Sequence, residues 1–140
     1  MTESSFVGKD GLRIATRAWR PSSGTPRGVV VIVPGFNSHG GYYEWTAGQL
    51  VSAGLAVYSI DLRGRGKSEG ERFFVEDFLD YVTDVADYIT IVKEREAGLP
   101  VFLLGHSAGG VVACLYAMDY QSELSGLICE SFAFQVPAPD

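Results

Sequence analysis

The sequence predicts an α/β domain, a mostly parallel sheet flanked by helices, and three observations carry that expectation. Apolar, β-branched runs such as 28–33 (Gly-Val-Val-Val-Ile-Val) recur along the chain, and runs of this kind suit strands covered on both faces. Segments of helical period separate them, so that strands and helices alternate. Glycine-spaced polar loops follow the strands at 34–41, 61–68 and 105–110, where an open parallel sheet binds its ligands, outside the carboxyl ends of its strands.

Two strands open the chain, at 5–7 and 12–19, joined as a hairpin by the turn-forming residues 8–11. The second alternates apolar and polar residues, the pattern of a strand with one solvated face. Residues 21–26 are a loop by their Pro, Ser and Gly content, and 28–33 is the first central strand. The loop 34–41 carries too much glycine for a helix. Helical character resumes over 42–53, with Trp45, Leu50 and Val51 directed at the core and Gly54 as the cap. A strand at 55–60 leads into the loop 61–68. From 78 to 95 apolar residues, Phe78 and Tyr81 among them, recur at helical spacing, while Asp77, Asp80, Asp84 and Asp87 make an opposite, solvated face. A strand at 101–104, an apolar helix over 111–118 expected to be buried on most sides, and a last strand at 124–129 complete the series. Residues 134–140 then leave through Pro137 and Pro139, which cannot extend a central strand or helix.

Composition narrows the function classes. At 140 residues and 46% hydrophobic content the chain is expected to form one domain, or part of one, with a sizeable core. A net charge of -6 without a Lys/Arg cluster excludes a nucleic-acid surface, which needs concentrated positive charge. Residues 1–5 lack the basic and apolar segments of a secretory leader, and no apolar run approaches the roughly 18 residues of a membrane span. The expected location is the cytoplasm. Cys114 and Cys129 both fall in apolar segments, so they read as buried free thiols in a reducing compartment rather than a disulfide framework. Two isolated histidines and scattered acids give no ligand spacing, so neither a metal nor an organic cofactor is expected.

Chemistry concentrates at Gly105-His106-Ser107-Ala108-Gly109, a Gly-x-Ser-x-Gly motif. Such a motif has meaning only in a strand-turn-helix context, and here four apolar residues precede it and an apolar helix follows. The context makes it a nucleophile elbow: Ser107 is held exposed and strained, glycines keep the turn uncrowded, and the helix N-terminus favours negative charge beside it. A serine hydroxyl is a weak nucleophile and needs a histidine base with an orienting carboxylate. The oxyanion that forms needs backbone N–H donors, of which Ala108, directly after the nucleophile, supplies one.

The order strand, Pro34-Gly35 loop, helix, strand, Asp61-Leu62-Arg63-Gly64-Arg65-Gly66-Lys67-Ser68-Glu69-Gly70, helix and elbow resembles the α/β-hydrolase fold. More narrowly it is similar to the monoacylglycerol lipase and lysophospholipase branch, which includes serine aminopeptidase-like proteins. The Asp-x-x-Gly-x-Gly-x-Ser-x-Gly pattern from Asp61 to Gly70 is more diagnostic of that branch than the elbow alone. The resemblance spans about 28–131. It departs locally, with Pro34-Gly35 where the family often has His-Gly, while His39 falls at the second histidine of the His-Gly-x-x-x-His pattern.

The resemblance implies a serine hydrolase that cleaves carboxylic esters, of monoacylglycerol or lysophospholipid type, through an acyl-enzyme on Ser107. Phe36 would supply the second oxyanion amide. The substrate is a small ester or lipid, in an apolar pocket bordered by Phe36 and by Tyr42 or Tyr43, and contact with a lipid surface is transient. In this fold the triad runs Ser, acid, His, with both partners after the strand that follows the elbow helix, yet no histidine lies beyond His106. The expectation is therefore the amino-terminal half of a hydrolase core, completed by a carboxy-terminal half or by a second chain. His106 should point away from its neighbour's hydroxyl and His39 should order the oxyanion loop. Asp61 should cap loop N–H groups, Arg63, Arg65 and Lys67 should pair with acids or solvent, and Glu130 lies near the active-site end. Amide or peptide hydrolysis, acyl transfer by the same serine, and a non-catalytic ligand-binding protein or subunit stand as alternatives.

Overall fold

Six strands build a single sheet in a computed structural model that describes residues 1–135: β1 (Thr2–Val7), β2 (Arg13–Trp19), β3 (Val29–Val33), β4 (Ala56–Ile60), β5 (Val101–His106) and β6 (Gly126–Glu130). Three α-helices connect them, α1 (Glu44–Ser52), α2 (Leu79–Arg95) and α3 (Ala108–Tyr120). The strand order is β1-β2-β4-β3-β5-β6. The four strands β4, β3, β5 and β6 are parallel, and the β1–β2 hairpin adds antiparallel through β2 against β4. Pro137, Pro139 and Asp140 lie outside the described residues.

The all-apolar strand β3 sits between β4 and β5 with every residue buried, as its unbroken β-branched run requires. Its side chains alternate between two cores. Val29, Val31 and Val33 join residues of α2 and α3 on one face, whereas Val30 and Ile32 join Trp19, Ala47 and Val57 beneath α1 on the other. Gly54, at φ +85, closes α1.

Several elements differ from the sequence reading for identifiable reasons. β1 starts at Thr2 because its whole length pairs with β2, from Thr2 opposite Ala18 to Val7 opposite Arg13. β2 has no solvated face: lying between β1 and β4, it buries Thr16 and Arg17, and Arg17 is there to meet Asp61. In the segment 42–53, a 3₁₀ turn at Gly40–Tyr43 precedes the α-helix. The α-helix that follows turns Ala47, Leu50 and Val51 to the sheet and leaves Trp45 75% exposed. The acidic face of α2 is not uniformly solvated, since Asp84 is fully buried against Arg63. In α3, Gly109, Gly110, Val112, Ala113 and Tyr116 are buried, but Met118 is exposed, because the helix packs on the sheet and α2 from one side only. Cys114 and Cys129 are free thiols, half-buried rather than buried.

Register decides where the loops meet. Val33 pairs with Gly105 and His106 with Glu130, so β3, β5 and β6 end level with one another. Residues 34–36, 107–108 and 131 therefore leave the sheet side by side.

Candidate active site

Ser107 stands between the end of β5 and the first residue of α3, at φ +55 and ψ -124. A non-glycine residue held there costs on the order of 1–3 kcal/mol and persists only if its surroundings enforce it. They do so from both sides. The Ser107 N–H donates to the Glu130 carbonyl at 2.9 Å, and the Ser107 carbonyl accepts from the Gly110 N–H at 2.9 Å. A Cβ at Gly105 would strike the backbone of Gly109 and Gly110, and one at Gly109 would strike the carbonyl oxygens of Val33 and Pro34. The two glycines thus let strand, turn and helix pass at contact distance.

The Pro34–Gly35 segment faces this turn. A Cβ added at Gly35 would lie 3.2 Å from the Ser107 Cβ and 3.6 Å from its Oγ. Phe36, Ser107 and Ala108, the three residues singled out in the sequence, line one cavity of about 430 Å³ together with Phe78, Val111 and Phe134, and a second of about 310 Å³ with Gly35 and Asn37. Neither the Phe36 N–H nor the Ala108 N–H donates to an acceptor among the described residues. The Ala108 amide is the first of a helix and has no intrahelical acceptor to find.

Other sequence-derived candidates are placed elsewhere. Tyr42 is 72% exposed and packs at a tilt against His39, and Tyr43 faces a separate groove with Thr46, His106 and Ile128. Neither borders the Ser107 cavity, because the 3₁₀ turn carries both toward α1. Phe78 takes that place instead. Its helical spacing from Tyr81 marked it as apolar, but only the packing of the α2 N-terminus beside Phe36 makes it a wall of the cavity. Ser131, at φ +51 and next to Glu130 at the active-site end of the sheet, also lines the cavity.

Neither histidine hydrogen-bonds Ser107 among the described residues. The His39 Nδ1 accepts from the Gly41 N–H at 3.1 Å and caps the 3₁₀ turn. His106, last residue of β5, contacts the Glu130 carboxylate through Nδ1. Hydrogen bonds from Ser131 and then His106 hold the Glu130 carboxyl below its ordinary range. Asp61 is fully buried and accepts from the Gly40 N–H at 2.8 Å, the Lys67 N–H at 2.9 Å and the Arg17 guanidinium at 2.7 Å. It ties β2 to the two loops that flank the site. Lys67 pairs with Glu3, and Arg63 forms a two-pronged ion pair with Asp84 and reaches Asp10. Arg65 departs from expectation, buried on a carbonyl and a hydroxyl where an acid or solvent was anticipated. Among the described residues no group of three or more His, Cys, Asp or Glu gathers as a metal site, and no helix is long and apolar enough to cross a membrane.

Comparison with known proteins agrees with this architecture. Residues 24–140 match the family described as "Serine aminopeptidase, S33". The chain is 39% identical over 123 residues to a monoglyceride lipase of Homo sapiens, covering 88% of this chain and 40% of that protein. It is 38% identical over 127 residues to a monoacylglycerol lipase of Mycolicibacterium smegmatis, covering 91% and 45%. Among solved structures, a thermostable carboxyl esterase from Bacillus coagulans in complex with glycerol superposes with a TM-score of 0.83 at 30% identity, covering 91% of this chain and 43% of that one. The chain thus spans less than half the length of these relatives. With the matched region taking in every parallel strand and the turn at Ser107, the chain has the α/β-hydrolase fold and belongs to the serine aminopeptidase S33 family.

Proposed function

We propose that this chain carries the nucleophile and oxyanion-binding half of a serine hydrolase acting on carboxylic esters of monoacylglycerol or lysophospholipid type. One observation carries the reading: Ser107, at a positive-φ turn, shares an apolar cavity with loop residue Phe36 and helix residue Ala108, whose amides have no acceptor among the described residues. In the proposed reaction the Ser107 Oγ attacks the ester carbonyl carbon, and the Phe36 and Ala108 amides receive the oxygen as it becomes negative. Each such donor is worth roughly 3–4 kcal/mol in the transition state. The alcohol leaves, and water then releases the acid from Ser107. Phe36, Phe78 and Val111 offer an apolar wall to an acyl chain.

The proton acceptor is assigned outside these residues, since neither His39 nor His106 hydrogen-bonds the Ser107 hydroxyl among the described residues. We assign residues 1–140 to the amino-terminal part of one hydrolase core, with the acid and the histidine supplied by the remainder of the intact protein, as the greater length of the relatives suggests. Exposed Phe73 and Phe74, five and four residues before the cavity residue Phe78, and exposed Leu79, directly after it, suit transient contact with a lipid surface. The free thiols suit a reducing, cytoplasmic setting.

A fluorophosphonate tests the assignment. The intact protein should gain the mass of one phosphonyl group on the peptide containing Ser107, and Ser107→Ala should gain none. An unlabelled intact protein would leave the ligand-binding alternative in place of an enzyme.

A further inference from the structure

Arg65 is 6% exposed and has no carboxylate within ion-pair distance among the described residues. The contrast with Arg63, two residues earlier and bound to Asp84 and Asp10, is direct. A guanidinium taken out of water without a counter-charge is costly, and hydrogen bonds and an aromatic ring against its flat face offset that cost. Arg65 finds both through its Nε, its Nη1 and its face. Its Nε donates to the Phe36 carbonyl at 2.8 Å, its Nη1 donates to the Tyr81 hydroxyl at 2.7 Å, and its Cζ lies 4.3 Å from the centre of the Phe36 ring. A weaker contact runs from Nη1 to the Arg63 carbonyl at 3.5 Å. One side chain therefore grips both the carbonyl and the ring of Phe36.

We infer that Arg65 is the positioning residue for the Phe36 amide, setting the direction in which that N–H meets the oxyanion formed at Ser107. The inference rests on the ester-hydrolase reading above. Holding the ring and the carbonyl of Phe36 fixes its ψ and its Cα, Cβ and C atoms, and tetrahedral geometry at Cα then places the nitrogen that carries the N–H. Gly35 cannot do this, because it has no side chain and little room for one against Ser107. The loop is open to substrate on its Ser107 side, so restraint has to come from behind, where Arg65 and Tyr81 stand. A misdirected donor loses most of its value, since displacements near 1 Å at a reacting centre cost about 10²-fold in rate.

The test uses the intact protein and three variants, Arg65→Met, Arg65→Lys and Tyr81→Phe. It measures kcat and KM on a monoacylglycerol, the rate of fluorophosphonate labelling, and the affinity of an alkyl trifluoromethyl ketone, which forms a tetrahedral anion on the serine. In Arg65→Met, kcat, labelling rate and ketone affinity should fall together by about 10- to 100-fold while KM moves less than about threefold. Arg65→Lys should recover part of the loss, and Tyr81→Phe, which frees the far end of the guanidinium, should lose about 3- to 10-fold in the same three quantities. A folded Arg65→Met with parental kcat and ketone affinity overturns the inference. If Arg65→Met does not fold, Tyr81→Phe decides: its three losses in proportion support the inference, and parental values overturn it. Failure of the unmodified protein to label at Ser107 overturns the underlying reading and the inference with it, whereas a labelled parent with indifferent variants overturns the inference alone.

Discussion

Ser107 holds its left-handed backbone because its neighbours have no side chains in the way. At Gly109 an added Cβ would meet carbonyl oxygens of Val33 and Pro34, which belong to a buried strand and its outgoing loop and cannot swing aside. Gly109→Ala should therefore lower the unfolding free energy by at least about 2 kcal/mol, as overpacking of a tight interior does, and should slow labelling of Ser107 by parting the two loops. Gly48 is the control: it lies on the exposed side of α1 with nothing within 4 Å of an added Cβ. Gly48→Ala should be stabilising by about 0.5–1 kcal/mol through helix propensity. Urea denaturation of both variants checks the pair, and a Gly109→Ala protein with the parental midpoint would refute the steric account. The spacing of small residues around position 107 is what made it legible in the sequence. Arg65 was not legible, because a positive charge in a loop says nothing about whether an acid, a carbonyl or an aromatic ring will meet it.

Periodicity located α2 to within one residue, but it grouped Asp84 with the solvated acids because helical phase describes one element and the partner sits on another. The Arg63 side chain, from the loop after β4, places Nε and Nη2 each 2.8 Å from the two Asp84 oxygens, with both residues buried. These bonds, with Asp10 assisting, push the Arg63 pKa above its already high ordinary value. The pair clamps the 61–68 loop to α2, and so holds Arg65 and Tyr81 in their mutual position. Removing one partner strands a buried charge, which typically costs about 3–5 kcal/mol. Asp84→Ala should lose stability on that scale in chemical denaturation. The double replacement Arg63→Met with Asp84→Leu should lose less than Asp84→Ala alone, since the charge it leaves unpaired, on Asp10, is exposed to water. A double variant no more stable than Asp84→Ala would show that the clamp is not what α2 depends on.

For the whole molecule, the order of strands and helices was legible because a doubly covered parallel sheet has a distinctive pattern of β-branched runs broken by glycine loops, and 28–33 and 101–104 show it plainly. Contacts made across elements were not legible: the burial of Arg17 by Asp61, the place of Phe78 in the cavity wall and the exposure of Trp45 all depend on how separate segments meet. The same long-range packing gives the fold a pH limit. Tyr58 from β4, Tyr88 from α2 and Tyr116 from α3 are all buried in the core shared by the sheet, α2 and α3. Burial raises the Tyr58 pKa to about 12, helped by its hydrogen bond to Glu96, and burial likewise raises Tyr116 to about 12 and Tyr88 further. A folded-state pKa above the unfolded value of 10.0 means that the native state holds these protons more tightly. Their contribution to stability is therefore complete below pH 10 and is lost as the pH rises toward 12. Tyrosinate absorbance and far-ultraviolet circular dichroism, followed together through that window, should show these three phenols ionising only as the dichroism collapses. Ionisation of all seven tyrosines near pH 10 with the dichroism intact would show that water reaches Tyr58, Tyr88 and Tyr116 in the native protein, and that the sheet and its two helices do not close over one dry core.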